Sequence, residues 1–192
     1  MTDDTPLWQW SLDRFRRETA SSQPTPGCGA ASVIAADIGL ALVLKGLRIT
    51  AAKRSTPELQ HLLSQGDALL ERLGEFANDD IRAFSRYLQA SQTGEIAPTE
   101  AARQACAVPL ATGHACLEAL KLATAAWPLC AVIVRSDVQA GALLIRAGLD
   151  AVLLNVDADL PSLEDDIART RASEARQRLQ RDARALHMPW AT

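Results

Sequence analysis

The stretch that decides the fold is residues 24–47, PTPGCGAASVIAADIGLALVLKGL, in which a proline- and glycine-rich turn leads into a long apolar run. From Ala30 to about Arg54 the pattern is apolar almost all round, which predicts a central buried helix. A glycine turn before a helix presents unpaired N–H donors and the positive end of the helix dipole. Gly27–Gly29 is therefore a candidate site for an anion or a polarised carbonyl. A plain connection between two helices is the alternative.

Composition limits the class of protein. The 192 residues suit one domain spanning 1–192, and 48% apolar with only 4% aromatic residues favours closely packed helices of Ala, Leu, Val and Ile. A net charge of −3 gives no basic surface for nucleic acid. The four cysteines show no C-x-x-C spacing and no signal peptide is recognised, so we expect free thiols in a cytoplasmic protein. Charged residues interrupt the apolar runs, and we predict no membrane span.

Helical periodicity along the chain predicts an all-α bundle of about six mostly long helices. Ser11 is a candidate N-cap for the first of them, and Thr56 is a candidate N-cap for a helix with Pro57 at its first position. Residues 91–98 are typical of a surface loop. The next helix begins at Pro98 and is expected to kink or break near a second proline, Pro109.

Residues 130–156 allow two interpretations. Two strand-like runs, 131–134 and 151–156, could form a β-α-β unit around Gly141–Gly148. Apolar residues at helical spacing between them favour one long helix, for which Arg135–Asp137 is a plausible cap. The segment from Ser162 to about Leu186 is rich in Arg, Glu, Gln and Ala, and it predicts a more polar helix that covers one face.

Candidate chemistry rests on a few charged residues beside apolar surfaces. Asp80 interrupts an apolar helix face, where a carboxyl has a tunable pKa suited to acid/base catalysis, although a solvated acid is the alternative. Asp137 is placed similarly, or it only caps its helix. Lys53 and Arg54 end the buried helix, where cations either stabilise the negative end of the helix dipole or bind a substrate carboxylate. At the glycine turn, Cys28 is either a stabilised thiolate or a small side chain that fits a crowded turn.

Histidine spacing gives no metal site. The three histidines, His61, His114 and His187, are far apart in sequence. The sequence also contains neither the G-x-S-x-G motif of a serine nucleophile nor a phosphate-binding glycine motif.

Several short motifs occur in order over about residues 10–160, and together they resemble those of the cyclodeaminase/cyclohydrolase family of folate enzymes. They are Ser11-Leu12-Asp13-Arg14-Phe15, Pro24-Thr25-Pro26-Gly27-Cys28-Gly29-Ala30, Thr50-Ala51-Ala52-Lys53-Arg54, Asp80-Ile81-Arg82-Ala83-Phe84, Ala107-Val108-Pro109-Leu110, Ser136-Asp137-Val138 and Asn155-Val156. The resemblance implies an all-helical homodimer that binds a reduced folate near the glycine turn. It also supports a helix over residues 130–156.

For the site, the resemblance implies a methenyltetrahydrofolate cyclohydrolase or a formimidoyltetrahydrofolate cyclodeaminase with no metal or redox cofactor. Asp80 or Asp137 would transfer the proton, and Lys53 with Arg54 would pair with the folate glutamate. The implied substrate-binding residues are Thr25, Pro26, Gly27, Cys28, Gly29, Lys53, Arg54 and Asn155.

The sequence departs from the family pattern at three positions that bear on activity. Cys28 replaces the middle glycine of the turn, Ala30 replaces its serine, and Asp159 replaces the second asparagine of N-V-x-x-N. The alternative to an active enzyme is therefore a catalytically degenerate homodimer of the same family with a binding or structural role. The sequence leaves the choice between cyclohydrolase and cyclodeaminase open.

Overall fold

The computed structural model describes residues 5–93 and 98–190, which form six α-helices and no strand. The helices are α1 (Leu12–Thr19), α2 (Cys28–Lys53), α3 (Pro57–Thr93), α4 (Pro98–Leu129), α5 (Arg135–Asp159) and α6 (Asp166–Ala185). Short 3₁₀ turns cover Leu7–Gln9, Val132–Val134 and Leu160–Ser162. The predicted all-α fold with long helices is confirmed. Of residues 130–156, for which one long helix is favoured over two strands, 135–156 belong to α5, whereas 130–134 precede it and Val132–Val134 form a 3₁₀ turn.

Two helix starts follow the predicted capping chemistry. The Ser11 side chain accepts a hydrogen bond from the Arg14 backbone N–H at 3.1 Å, which fixes the start of α1. The Thr56 hydroxyl accepts one from the Leu59 N–H at 3.3 Å, and Pro57 is the first residue of α3. These side chains satisfy backbone donors that the first helical turn leaves unpaired.

Three local expectations need correction or lie outside the described residues. The N-cap of α5 is Val134, without a side-chain cap, so the cap predicted at Arg135–Asp137 is wrong. Helix α4 continues past Pro109 without a break, so a break there is wrong, and a kink stays a prediction. Of the predicted loop over 91–98, residues 91–93 belong to α3, and residues 94–97 lie outside the described part of the chain.

Glycines let α2 and α5 pack closely in antiparallel orientation. A Cβ atom placed on Gly39 would lie 2.5 Å from the Gly141 carbonyl oxygen, and one on Gly141 would lie 2.4 Å from the Gly39 carbonyl oxygen. A Cβ on Gly148 would lie 2.7 Å from the Ser32 carbonyl oxygen. Successive contacts involve later residues of α2 and earlier residues of α5, so the start of α2 lies beside the end of α5. This arrangement places the glycine turn next to Asn155.

Helix α2 is the central helix of the core, as predicted. By length and composition it is also long and apolar enough to cross a membrane, despite Asp37 and Lys45. The charged residues within the apolar runs therefore do not rule out a membrane span, contrary to our expectation. However, 61% of its most apolar 18-residue window is buried inside the fold. The core helix of a soluble protein meets the same criterion, so this helix alone is weak support for a membrane span.

Candidate functional site

The carboxyl group of Asp80 occupies the space that Gly29 leaves open. Asp80 lies on α3, is only 9% exposed, and faces the first turn of α2. A Cβ atom on Gly29 would lie 1.9 Å from Asp80 Oδ1 and 2.3 Å from its Cγ, which is far inside any real contact. The glycine turn and the acid, which are 51 positions apart in the sequence, therefore form one site.

Two donors hold the Asp80 carboxyl in place. The backbone N–H of Ala30, in the first turn of α2, donates a hydrogen bond to it. From α5, Asn155 Nδ2 donates a long hydrogen bond to Asp80 Oδ1 at 3.5 Å. Both contacts favour the ionised carboxyl, as does the positive end of the α2 dipole. We call Gly29, Ala30, Asp80, Asn155 and the nearby Asp159 the Asp80 site.

The two carboxyl groups of the Asp80 site titrate near neutral pH. Burial raises the pKa of Asp80 to about 6, although the hydrogen bond from Ala30 lowers it. Burial, and then the charge of Asp80, raise the pKa of Asp159 to about 7. Asp159 lies four residues after Asn155, one turn further along α5. A carboxyl group with such a pKa can accept or donate a proton at physiological pH.

Aromatic side chains lie on α3 one and two turns beyond Asp80. The half-buried rings of Phe84 and Tyr87 have their centroids 6.1 Å apart. The Tyr87 hydroxyl shares a hydrogen bond of 2.9 Å with the Ser162 hydroxyl, which ties α3 to the turn after α5. Flat aromatic faces beside a proton-transfer group suit a planar, heterocyclic substrate.

The glycine turn itself leads into α2 with Gly27 as the N-cap, directly after Thr25 and the buried Pro26. The exposed Cys28 points toward α5, where its Sγ lies 3.5 Å from the Ala151 carbonyl oxygen. All four cysteines, Cys28, Cys106, Cys116 and Cys130, are free thiols.

The cationic pair at the end of α2 is far from the Asp80 site within one chain. Lys53 is the last residue of α2, Arg54 is its C-cap, and both are exposed. Lys53 follows Gly29 by 24 residues, so at 1.5 Å per residue the two lie about 36 Å apart along the helix.

Asp137 also lies far from the Asp80 site of its own chain. It lies in the first turn of α5, 18 residues before Asn155 and thus about 27 Å away along the helix. Its Oδ2 lies 2.9 Å from Lys45 Nζ, in a half-exposed ion pair between α5 and α2.

Other possible sites are less developed. Across residues 5–93 and 98–190, no three or more His, Cys, Asp or Glu side chains are grouped so as to hold a metal ion. A groove of about 630 Å³ runs between α3 and α4, and residues lining it include Leu62, Arg72, Glu118 and Lys121. None of the predicted site residues lines this groove.

Comparison with known proteins assigns the chain to a family. The sequence model for formiminotransferase-cyclodeaminase matches residues 11–178. The chain belongs to the formiminotransferase-cyclodeaminase family. The predicted resemblance is thereby confirmed.

Individual relatives of this family member cover most of the chain. It is 30% identical over 171 residues to a methenyltetrahydrofolate cyclohydrolase from Methylorubrum extorquens, which covers 81% of both chains. It is 26% identical to formimidoyltransferase-cyclodeaminase from Mus musculus, which covers 93% of this chain but only 36% of that protein. A crystal structure of formiminotetrahydrofolate cyclodeaminase from Thermotoga maritima has the same fold, with a TM-score of 0.86, 21% identity and coverage of 92% and 91%.

In this formiminotransferase-cyclodeaminase family member, the sequence motifs predict Asp80, the glycine turn and Asn155 as site residues, and the structure brings them together. The motifs do not predict Tyr87 and Ser162 as neighbours of the site. A signal for Tyr87 was present, because residues seven apart lie on one face of a helix, and Tyr87 follows Asp80 at that spacing. No sequence signal points to Ser162, whose partner is 75 positions away.

Proposed function

We propose that this protein is a methenyltetrahydrofolate cyclohydrolase, which adds water to the carbon bridging N5 and N10 and opens the ring to the 10-formyl form. The observation that carries the proposal is the buried Asp80 carboxyl, held by Ala30 and Asn155 in the space left by Gly29. A relative of that name is 30% identical and matches 81% of both chains, which supports this choice of reaction. Hydration of a positively charged carbon needs positioned groups and proton transfer, and no redox step.

In the proposed reaction, Asp80 is the general base. With a pKa of about 6 it is largely ionised at pH 7 and accepts a proton as water attacks the bridging carbon. Asn155 and the Ala30 N–H orient its carboxylate. The turn from Thr25 to Gly29 leads into α2, and unpaired N–H groups at the helix start are suited to hold a carbonyl oxygen of the pterin.

We also propose that the working unit is a cytoplasmic homodimer. Ile38 on α2 and Leu143 and Leu154 on α5 are 42%, 60% and 64% exposed, on the two helices that pack against each other. A second copy of the chain is the occupant suited to such an apolar surface. If the α2 helices of the two copies run antiparallel, Lys53 and Arg54 of one copy approach the glycine turn of the other. Such an arrangement would let them pair with the folate glutamate.

The experiment that tests the function follows the absorbance of the methenyl group during turnover. The purified protein is expected to accelerate the loss of 5,10-methenyltetrahydrofolate. Asp80→Asn is expected to lower kcat by about 10²-fold or more with the fold intact, because it removes the general base. Asp79→Asn is the matched control, since Asp79 is the neighbouring residue, is partly exposed, and pairs with Arg82. Equal losses in the two variants would contradict the role of Asp80.

A cyclodeaminase is the second candidate, because the chain is 26% identical to the formimidoyltransferase-cyclodeaminase from Mus musculus, over 93% of its own length. The same protein is therefore also given 5-formimidoyltetrahydrofolate, and ammonia release is measured. Ammonia release without methenyl hydrolysis would replace the cyclohydrolase proposal with the cyclodeaminase. Turnover of neither substrate would favour the catalytically degenerate homodimer.

A further inference from the structure

Asp159 lies between two contacts that join α5 and its following turn to α3. On one side, Asn155 Nδ2 reaches Asp80 Oδ1, and on the other, Ser162 Oγ is bonded to the Tyr87 hydroxyl. Asp159 is one turn beyond Asn155 and three residues before Ser162. The order along both segments is the same, and the charge of Asp80 contributes to the raised pKa of Asp159, so Asp159 lies beside the part of α3 that carries Asp80.

Burial and the charge of Asp80, rather than a paired cation, set the direction of the pKa shift of Asp159. Asp80 acts on it from α3, and the buried Cys106 thiol lies near it on α4, with a pKa raised to about 11 by burial and by Asp159. Arg176 of α6 pairs with Asp157, two positions before Asp159, at 2.7 Å. Among the described residues, Asp159 makes no ion pair. Two partly buried carboxyl groups without a cation share a proton rather than ionise together.

We propose that Asp159 is a second catalytic residue of the Asp80 site, which donates a proton to the leaving nitrogen N5 while Asp80 accepts a proton from the attacking water. This inference rests on the proposed cyclohydrolase function. It assigns a role to the carboxyl group at a position where the family pattern has an amide, which has no such proton to give.

The proton transfers balance as follows. Water forms a bond from its oxygen to the bridging carbon, and its first proton passes to the Asp80 carboxylate. The Asp159 carboxyl then gives its proton to N5 as the bond between the carbon and N5 breaks. The new hydroxyl group becomes the formyl oxygen and returns its proton to the Asp159 carboxylate. Asp80 releases the first proton to solvent, so one proton is released per turnover and both residues return to their starting state.

The pH dependence of kcat/KM for 5,10-methenyltetrahydrofolate tests this assignment. In the wild-type protein, kcat/KM is expected to rise as Asp80 loses its proton near pH 6 and to fall as Asp159 loses its proton near pH 7. Asp159→Asn is expected to lower kcat by about 10²-fold and to abolish the descending limb. Asp157→Asn, on the exposed side of the same helix, is expected to keep both limbs.

The outcomes separate the two proposals. Hydrolysis by the wild-type protein with a descending limb that persists in Asp159→Asn would overturn the role of Asp159 and leave the cyclohydrolase in place. No hydrolysis by the wild-type protein would overturn the cyclohydrolase itself.

A second measurement does not depend on the folding of Asp159→Asn. Carboxyl ¹³C NMR is expected to give a pKa for Asp159 near 7 in the wild-type protein and a lower one in Asp80→Asn. An Asp159 that titrates near pH 4, its ordinary value, would overturn the proposal.

Discussion

Gly29→Ala tests whether the space beside the first turn of α2 belongs to the Asp80 carboxyl. The added Cβ atom would lie 1.9 Å from Asp80 Oδ1 and 2.3 Å from Cγ, whereas real Cβ contacts are essentially never shorter than 3.0 Å. The carboxyl group must therefore move by roughly 1 Å. That movement would also weaken its hydrogen bond from the Ala30 N–H.

The expected cost falls on catalysis rather than on folding. A catalytic group displaced by about 1 Å loses about 10²-fold in rate, which corresponds to roughly 2.7 kcal/mol of activation free energy. Alanine is favoured over glycine within a helix by up to about 1 kcal/mol, which offsets part of the cost of displacing Asp80. We therefore expect the free energy of unfolding of Gly29→Ala to stay within about 2 kcal/mol of the wild-type value.

The assay measures kcat and KM for 5,10-methenyltetrahydrofolate by absorbance, with a thermal melt of each variant. Gly74→Ala is the control, because on the same helix as Asp80 its new Cβ would meet Trp8 Nε1 at 3.3 Å and needs only a small adjustment. The control is expected to keep kcat within about twofold. Full kcat in Gly29→Ala would refute the reasoning. A raised KM with unchanged kcat would also refute it, since the space would then hold substrate rather than Asp80.

Three further predictions test other parts of the structure. Burial raises the pKa of Asp37 to about 7, so the folded protein holds a proton that the unfolded chain loses near pH 4, and stability falls as pH rises between these values. Asp37→Asn should therefore stabilise by about 1–3 kcal/mol more at pH 8 than at pH 5 in denaturant unfolding, and a pH-independent effect would contradict this. Gly141→Ala places a Cβ 2.4 Å from the Gly39 carbonyl oxygen and should lower the free energy of unfolding by about 1–3 kcal/mol, whereas an unchanged urea midpoint would argue against close α2–α5 packing. Leu143→Arg should halve the mass measured by sedimentation while keeping the helical circular dichroism, and a wild-type mass near 20.6 kDa at all concentrations would remove the dimer.

The helices were predictable because their signals are local. A run that is apolar almost all round predicted the buried α2, and short-range capping chemistry predicted the starts of α1 and α3 at Ser11 and Thr56. Residues 130–156 were ambiguous because a short apolar run has the same composition in a buried strand and a buried helix. The interpretation of residues 1–192 as a single domain stays a prediction.

The site was only partly predictable because its contacts join distant segments. The motif order pointed to Asp80, Gly29 and Asn155, but no sequence pattern indicates that Asp80 fills the space at Gly29. Asp137 was considered with Asp80 because both acids sit beside apolar residues. Helix length then separates Asp137 from Asn155 by about 27 Å along α5, which residue type alone cannot reveal.

A crystal structure of Asp80→Asn with 5,10-methenyltetrahydrofolate bound would test the central claim most directly. The account predicts that the bridging carbon lies beside the substituted side chain at position 80, at the glycine turn, with Asn155 and the Phe84 and Tyr87 rings nearby. A folate bound in the groove between α3 and α4, or anywhere remote from position 80, would contradict it.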